Sequence, residues 1–240
     1  MYLDKNNKYW ERGYKGYPNE NIESFIFRPY GRILDEYFQP GGALRSKKRM
    51  LDFGCGSGQP LCFFKDKGFD VFGVDISQKN IDRCKERMPG IQEQFSLINP
   101  SPSKSQLFFK GNFGLITAIQ SLYYFSDLDL QIILQCLYDQ MVDGGIIYAT
   151  MIGSKSWHYK KSSKYNDGLS LFSAETRTGK IDEHYLNFTK SEKDLKKKFN
   201  IFEPLHTGFH SERYRDEEGA DFHYTFVGVK NKIYRSNLKK

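Results

Sequence analysis

Three glycines spaced two apart, Gly54, Gly56 and Gly58, follow the apolar run Met50 to Phe53 and precede Pro60. Few patterns restrict a fold as tightly. The apolar run reads as a buried strand. The glycines allow a sharp turn and let a ligand approach the backbone closely. Pro60 in the first helical turn loses nothing, because that N–H has no intrahelical partner. Leu61 to Phe64 continue the helix, and Gly68 supplies a left-handed cap. A strand–turn–helix unit of this kind aims free N–H groups and positive partial charge at whatever sits on the turn. A dinucleotide fingerprint wants its third glycine three residues after the second; Gln59 stands there instead. Asp52, at the entrance to the turn, would repel a pyrophosphate and suits a ligand with a cationic group.

The rest of the chain alternates in the same manner. Phe69 to Asp75 is the second strand. Ser77 caps a helix with Ile81, Cys84 and Met88 on one face, and Met88-Pro89-Gly90 stops it. Ile91 to Ile98 reads as the third strand and Phe113 to Ile119 as the fourth, separated by a Ser/Pro/Lys-rich surface stretch. Ser126 or Asp127 caps a long helix whose buried stripe is Leu130, Ile133, Leu134, Leu137 and Met141. Gly144-Gly145 ends that helix, and Ile146 to Met151 is the fifth strand. Ser191 caps a helix from Glu192 to Phe199, on which Lys193, Lys196, Lys197 and Lys198 read as a solvated face. Ile201 to Phe209 and Phe222 to Lys230 then form a terminal antiparallel pair. The alternation predicts a doubly wound α/β sheet. Ahead of it, residues 1–45 are an aromatic arm with Tyr2, Tyr9, Trp10, Tyr14, Tyr17 and Tyr30. Asn21 can cap a short helix carrying Ile22, Phe25 and Ile26, which Pro29 should kink or end. Ile152 to Thr189 is polar and too long for an ordinary loop, so it reads as an insertion over the site.

The stretch LDFGCGSG followed by VFGVDIS resembles the first two cofactor motifs of class I S-adenosylmethionine (SAM) methyltransferases. The resemblance covers about 50–150 well and the terminal hairpin loosely. It implies a seven-stranded mixed sheet in one methyltransferase domain. Its parts are an N-terminal arm or lid at 1–45, a SAM-binding core at 46–151, an acceptor cap at 152–190, and a terminal helix and hairpin at 191–230. It implies SAM as cofactor and S-adenosylhomocysteine as product. The turn with Asp52, Gly54, Cys55, Gly56 and Gly58 would wrap the methionine part of SAM. Asp75, 17 residues after Gly58, would hold the ribose hydroxyls, with Ile76 beside it. Asn99 stands where the adenine edge is met. Tyr9 and Trp10 would help cover the cofactor, since aromatic faces suit a sulfonium. Ligands of doubly wound sheets sit at the carboxyl ends of the strands, which makes Gln120, Ser121 and Tyr123 candidates for lining the methyl-transfer site.

Composition bounds the partners. The chain has 240 residues, enough for one packed domain. Its net charge of +7 suits an anionic acceptor or nucleic acid. The first residues lack the apolar core of a secretory signal, and no apolar run reaches membrane-spanning length. Cys55, Cys62, Cys84 and Cys136 show no C-x-x-C spacing and read as reduced thiols of a cytoplasmic protein. No metal-ligand spacing is present, so no metal is expected. A hydroxyl acceptor would be helped by a base. His158, after the fifth strand, is the first candidate, then His210, with Tyr123 as a further site residue; His184 lies near the insertion, and His206 and His223 read as structural. Lys155, Lys160, Lys161, Arg177, Arg213 and Arg215 favour a small acceptor carrying phosphate or carboxylate and could equally track a nucleic-acid backbone. The aromatic arm, running straight into the SAM domain, resembles small bacterial methyltransferases of surface-polysaccharide and small-metabolite pathways, which implies O-methylation. Two alternatives stand beside this reading: a nucleic-acid methyltransferase, and a non-catalytic SAM-binding protein.

Overall fold

The computed structural model describes residues 2–11, 24–175, 179–213 and 219–231. The arm supplies α1 (Tyr2–Glu11) and α2 (Ser24–Pro29), which runs on through a π-helical turn at Tyr30–Leu34 into α3 (Asp35–Phe38). The core follows as β1 (Arg49–Phe53), α4 (Gln59–Asp66), β2 (Asp70–Asp75), α5 (Gln78–Arg87), β3 (Phe95–Leu97), β4 (Phe113–Ala118), α6 (Asp127–Asp139) and β5 (Met141–Ile152). An insertion then brings α7 (Trp157–Lys160), β6 (Ser162–Lys164), β7 (Leu169–Glu175) and β8 (Ile181–Asn187). The chain closes with α8 (Glu192–Lys198), β9 (Glu203–Glu212) and β10 (Asp221–Val229). Seven strands form one sheet in the order β3-β2-β1-β4-β5-β10-β9, with β10 antiparallel to both neighbours. β4, at the centre, is buried at every residue, as a parallel strand covered on both faces must be. The insertion has strands of its own: β6, β7 and β8 make a separate three-stranded antiparallel sheet.

Several local readings of the sequence are corrected. Pro29 ends α2 as an α-helix, as expected, but the chain does not leave the helical path and runs on as the π-helical turn Tyr30–Leu34. A proline at this position deprives the carbonyl four residues back, that of Phe25, of its helical donor. The buried Tyr148 hydroxyl donates to that Phe25 oxygen at 2.6 Å, so the ladder is repaired from the sheet and the helical path continues. The expected third strand shrinks to Phe95–Leu97 behind a 3₁₀ turn at Gln92–Gln94. Met141 opens β5 rather than closing the α6 stripe, and Gly144-Gly145 lie within β5. The reason is Gln140, which leaves the helix because its carbonyl accepts from Phe113 N–H and its side-chain oxygen from the N–H groups of Phe108 and Phe109. Ser126 and Ser191 cap as expected, but Ser77 makes no side-chain cap bond. Lys198 is not solvated: it is buried, and its Nζ donates to Asn187 Oδ1 at 2.7 Å and Asp127 Oδ1 at 3.0 Å. Asn21, Ile22, Tyr14 and Tyr17 lie outside the described residues.

The arm is stitched to the body through polar contacts. The Tyr2 hydroxyl donates to Asp129 and accepts from Ser126 N–H. The Asn6 side chain donates to the carbonyls of Tyr124 and Tyr185 and accepts from Tyr185 N–H. Replacing Tyr148 by Phe removes the donor of the half-buried Phe25 carbonyl, so Tyr148→Phe is expected to lower unfolding free energy by about 0.5–1.5 kcal/mol. Adding Pro29→Ala restores a helical N–H at that place and should recover part of the loss. Urea denaturation of the single and double variants reads both effects; a Tyr148→Phe loss that Pro29→Ala deepens would contradict the account.

Candidate active site

The glycine turn is folded by contacts between the carboxyl ends of β1 and β2. Gly54 N–H and Cys55 N–H both donate to the Val74 carbonyl, at 2.8 and 3.0 Å. All three glycines are left-handed, with φ of 76°, 52° and 81°, yet they serve different needs. A Cβ on Gly54 would strike the Ser121 side chain, and one on Gly58 would come within 3.0 Å of Cys84 Sγ. A Cβ on Gly56 would meet nothing within 4 Å. Gly54 and Gly58 are therefore fixed by packing, whereas Gly56 turns its bare face to open space. Gly58 does not border the cavity described below.

Two carboxylates stand under this turn. Asp75 accepts from Gly56 N–H at 2.9 Å through Oδ2, and from Ser77 N–H at 2.8 Å through Oδ1. Asn80 Nδ2 adds a longer bond of 3.3 Å. Burial raises the Asp75 pKa, and these donors oppose the rise. Asp52 faces Thr117 across the β1–β4 pair and accepts its hydroxyl at 2.7 Å, while Oδ2 is buried with no partner. Burial pushes the Asp52 carboxyl up to about 7, against the Thr117 bond and with help from the Asp75 charge. An unsatisfied buried carboxylate oxygen is costly in isolation, and a donor group on a ligand would relieve it. Beyond β4, Gln120 is held in a left-handed conformation (φ 54°) with its N–H on Thr150 Oγ1 at 2.7 Å. A non-glycine residue there is strained backbone of the kind that gathers at sites.

These groups border one cavity of about 1050 Å³. Its first end is walled by Asp52, Gly54, Cys55, Gly56, Asp75 and Ile76, with Ile98 and Gln120 further along. The exposed Asn99 is not in the wall: its Oδ1 accepts Ser101 N–H at 2.8 Å in a local turn, and the neighbouring Ile98 lines the cavity. Tyr9 and Trp10 are in the wall, Tyr9 against His184 with ring centroids 4.1 Å apart and Trp10 edge-on to Tyr124 at 5.1 Å. The second end is formed by Tyr123, His158, His184, Leu186, Asp221 and His223. His158 is thus placed as the sequence suggested. His210 is not in the wall and instead stacks between Phe25 and His223, at 5.0 and 5.1 Å. His223, read from sequence as structural, borders the cavity, as do His184 and Asp221. A signal for two of these was present: Asp221 and His223 are two apart at the start of a strand and so share a face. His184 had none, because the insertion that carries it was given no strands from sequence.

Burial depresses the imidazoles, His158 to about 4 and His184 and His223 to about 3. The rings are therefore neutral near neutral pH. The cations expected around an acceptor lie elsewhere. Lys155, Lys160, Lys161 and Arg213 are exposed and outside the wall, and Arg177 and Arg215 lie outside the described residues. Arg83 and Arg87 do border the cavity, but from α5, the helix that follows Asp75. Among the described residues, no group of three or more His, Cys, Asp and Glu could hold a metal ion, and no helix is long and apolar enough to cross a membrane.

Comparison with known proteins gives this site a family. The sequence profile of a family described as a methyltransferase domain matches residues 22–197. A curated relative from Synechocystis, described as an uncharacterized methyltransferase, is 28% identical over 104 residues, 43% of this chain and 47% of that protein. The match thus spans about half the length of that relative. A SAM-dependent methyltransferase from Methanosarcina mazei superimposes with a TM-score of 0.61 at 21% identity, over 83% of this chain and 97% of the other. The glycopeptide N-methyltransferase MtfA, solved with SAM, gives 0.53 at 12% identity over 75% of this chain and 86% of its own. Both structural likenesses are likenesses of fold.

The buried histidines make stability depend on pH in a fixed direction. Their folded pKa values lie below the unfolded value of 6.5. Above that value both states leave the rings neutral and nothing is gained or lost. Below it the unfolded chain binds protons that the folded chain refuses, so stability falls with pH, by up to about 1.4 kcal/mol per pH unit for each ring. Urea titrations across the acidic range should show this slope, and His223→Gln should flatten it. An unchanged slope in that variant would place the titration on other groups.

Proposed function

Because the chain belongs to the methyltransferase-domain family, we propose that it binds SAM over the glycine turn and transfers its methyl group to an oxygen of a small acceptor held among the histidines. One observation carries this reading: a single cavity joins the turn and its paired carboxylates to a chamber of neutral imidazoles. The residues at the turn fit the cofactor. The open face of Gly56 admits a ligand against the backbone. The unpartnered Asp52 Oδ2 suits an ammonium, and Asp75 lies where hydroxyls could join the Gly56 N–H on its carboxylate. Tyr9 and Trp10 offer ring faces to a sulfonium. When bound, SAM supplies an electrophilic methyl carbon on a positively charged sulfur. The protein's part is to hold an acceptor in line, which by positioning alone lowers a barrier by several kcal/mol, and to take up a proton. His158 is neutral and borders the chamber, so it is available as that base.

The acceptor class follows from what lines the second end. Among the described residues it offers aromatic faces, neutral imidazoles and the Asp221 carboxylate, and no lysine or arginine. A phosphate or carboxylate buried there would lose its hydration without gaining a cation. We therefore read the methylated part of the acceptor as uncharged, a hydroxyl on a sugar precursor or aromatic metabolite, in place of the anionic acceptor suggested by sequence. The same lining weighs against a nucleic-acid backbone, which needs several phosphate contacts.

The cofactor assignment is tested by calorimetry with S-adenosylhomocysteine. Asp75→Ala should weaken binding at least about tenfold, the loss of charge-assisted bonds worth about 1.5–3 kcal/mol each. Gly56→Val should abolish it, since a β-branched side chain fills the open face. Wild-type affinity in a folded Asp75→Ala variant would remove Asp75 from the cofactor site. The acceptor is tested by transfer of labelled methyl from SAM to pooled sugars, phenols and amines beside bulk tRNA. Labelling of the uncharged hydroxyl compounds is expected; labelling confined to tRNA would make the nucleic-acid reading correct.

A further inference from the structure

We propose that Thr150 is a positioning residue: it holds Gln120 in a strained backbone conformation so that the Gln120 carboxamide meets the cofactor beside the glycine turn. The inference rests on the SAM-binding reading of the cavity, while the strain is read from the backbone. Among the described residues, two that are not glycine have a left-handed φ, Gln120 at 54° and Asp167 at 49°. Asp167 is exposed, and its carboxylate bonds Leu128 N–H. Short acidic side chains of this kind visit the left-handed region routinely. Gln120 has no such compensation. Glycine would take the same conformation without cost, so a side chain kept there points to a use for that side chain.

Two bonds impose the conformation. The β4–β5 ladder ends at the pair Ala118 and Ala149. One position further along β5, the Thr150 hydroxyl accepts the Gln120 N–H at 2.7 Å in place of a strand partner. Thr150 is fully buried, so water does not compete for its oxygen. The next residue, Ser121, donates its hydroxyl to the Phe53 carbonyl at 2.7 Å, and its side chain lies against Gly54. Gln120 is thus gripped from β5 on one side and from the glycine turn on the other. Phe53 follows Asp52, whose Oδ2 is buried without a partner. Gln120 borders the cavity, and its carboxamide bonds none of the described residues. The amino-acid end of the cofactor carries an ammonium and a carboxylate. An ionised Asp52 can only accept, which suits the first; the carboxamide supplies N–H donors, which the second needs. Thr150 itself does not border the cavity and acts through Gln120.

The test joins calorimetry with S-adenosylhomocysteine to urea denaturation of the ligand-free protein. Gln120→Ala and Gln120→Gly should both bind about tenfold more weakly, the loss of one hydrogen bond to a charged group. Of the two, the glycine variant should unfold at the higher urea concentration, because glycine takes the left-handed conformation without strain. Thr150→Val keeps the side-chain shape, removes the oxygen that accepts the Gln120 N–H, and should weaken binding to a similar degree; Thr150→Ser should restore it. In the Gln120→Gly background, Thr150→Val should cost no further affinity, whereas a threonine needed only for packing would cost the same in both backgrounds. Thr150→Ala takes its place in this cycle if Thr150→Val does not fold. Wild-type affinity in Gln120→Gly or in the folded Thr150 variant, an equal loss in both backgrounds, or a glycine variant no more stable than the alanine one overturns the proposal. Failure of wild type to bind S-adenosylhomocysteine would instead overturn the SAM-binding reading beneath it, and the urea comparison would still decide the strain.

Discussion

The carboxylate of Asp75 is the contact on which the rest of the site depends. It accepts the N–H of Gly56 from the turn after β1 and the N–H of Ser77 from the turn after β2. Two loops that end neighbouring strands are thereby held at fixed spacing by one buried side chain, and α5 begins beside it. Hydrogen bonds to an ionised acceptor are stronger than neutral ones, and burial removes the water that would compete for them. Asp52 lies two residues before Gly54 and shares the same low-dielectric floor, which is why the Asp75 charge helps raise its pKa. Asp75, bonded through both oxygens, and Asp52, with one oxygen unpartnered, make a floor with spare acceptor capacity. A ligand that brings hydroxyls and a positive charge meets that need.

The second end of the cavity is assembled from distant parts of the chain. α1 leans on β8 through Asn6, which bonds the backbone of Tyr185 in both directions. The end of β8 is fixed from beneath: Asn187 Nδ2 donates to the Phe125 carbonyl at 3.1 Å and to Asp127 Oδ1 at 2.9 Å, and Lys198 joins the same Asp127 oxygen. Buried charge is tolerable only when it is paired and fully bonded. Here the pairing has a structural consequence, since it ties the return strand of the insertion to α6 and α8. His184 and Leu186 are presented to the cavity from that anchored strand. Placing catalytic candidates on strands and on a short helix clamped at both ends gives more exact positions than a free loop would.

Legibility varied with how local the governing physics was. The glycine turn, Pro60, Gly68 and the caps at Ser126 and Ser191 were readable because each depends on the conformation of its own few residues. Asp75 was readable because its distance from the turn is set by one helix and one strand. The end of α2 at Pro29 was readable, but its continuation as a π-helical turn was not, because the missing helical donor is replaced by Tyr148, more than a hundred residues away. The local bond of Asn99 to Ser101 N–H was not legible, because a side chain next to a proline can bond its own backbone as easily as it can face a cavity. Lys198 looked like its lysine neighbours, and only the packing of α8 on α6 distinguishes it.

The sequence by itself determined the sheet, the glycine turn and the carboxylate that serves it, because strand and helix periodicity and turn chemistry are written within short windows. It also determined that His158 follows the fifth strand and so reaches the carboxyl ends of the strands. Only the tertiary structure decided what shares the chamber with His158. The polar insertion folds into its own three-stranded sheet and brings in His184, the last strand brings in Asp221 and His223, and the lysines of the insertion stay at the surface. Those choices rest on burial, on which a residue's neighbours across the fold have the deciding influence, and no pattern along the chain records them.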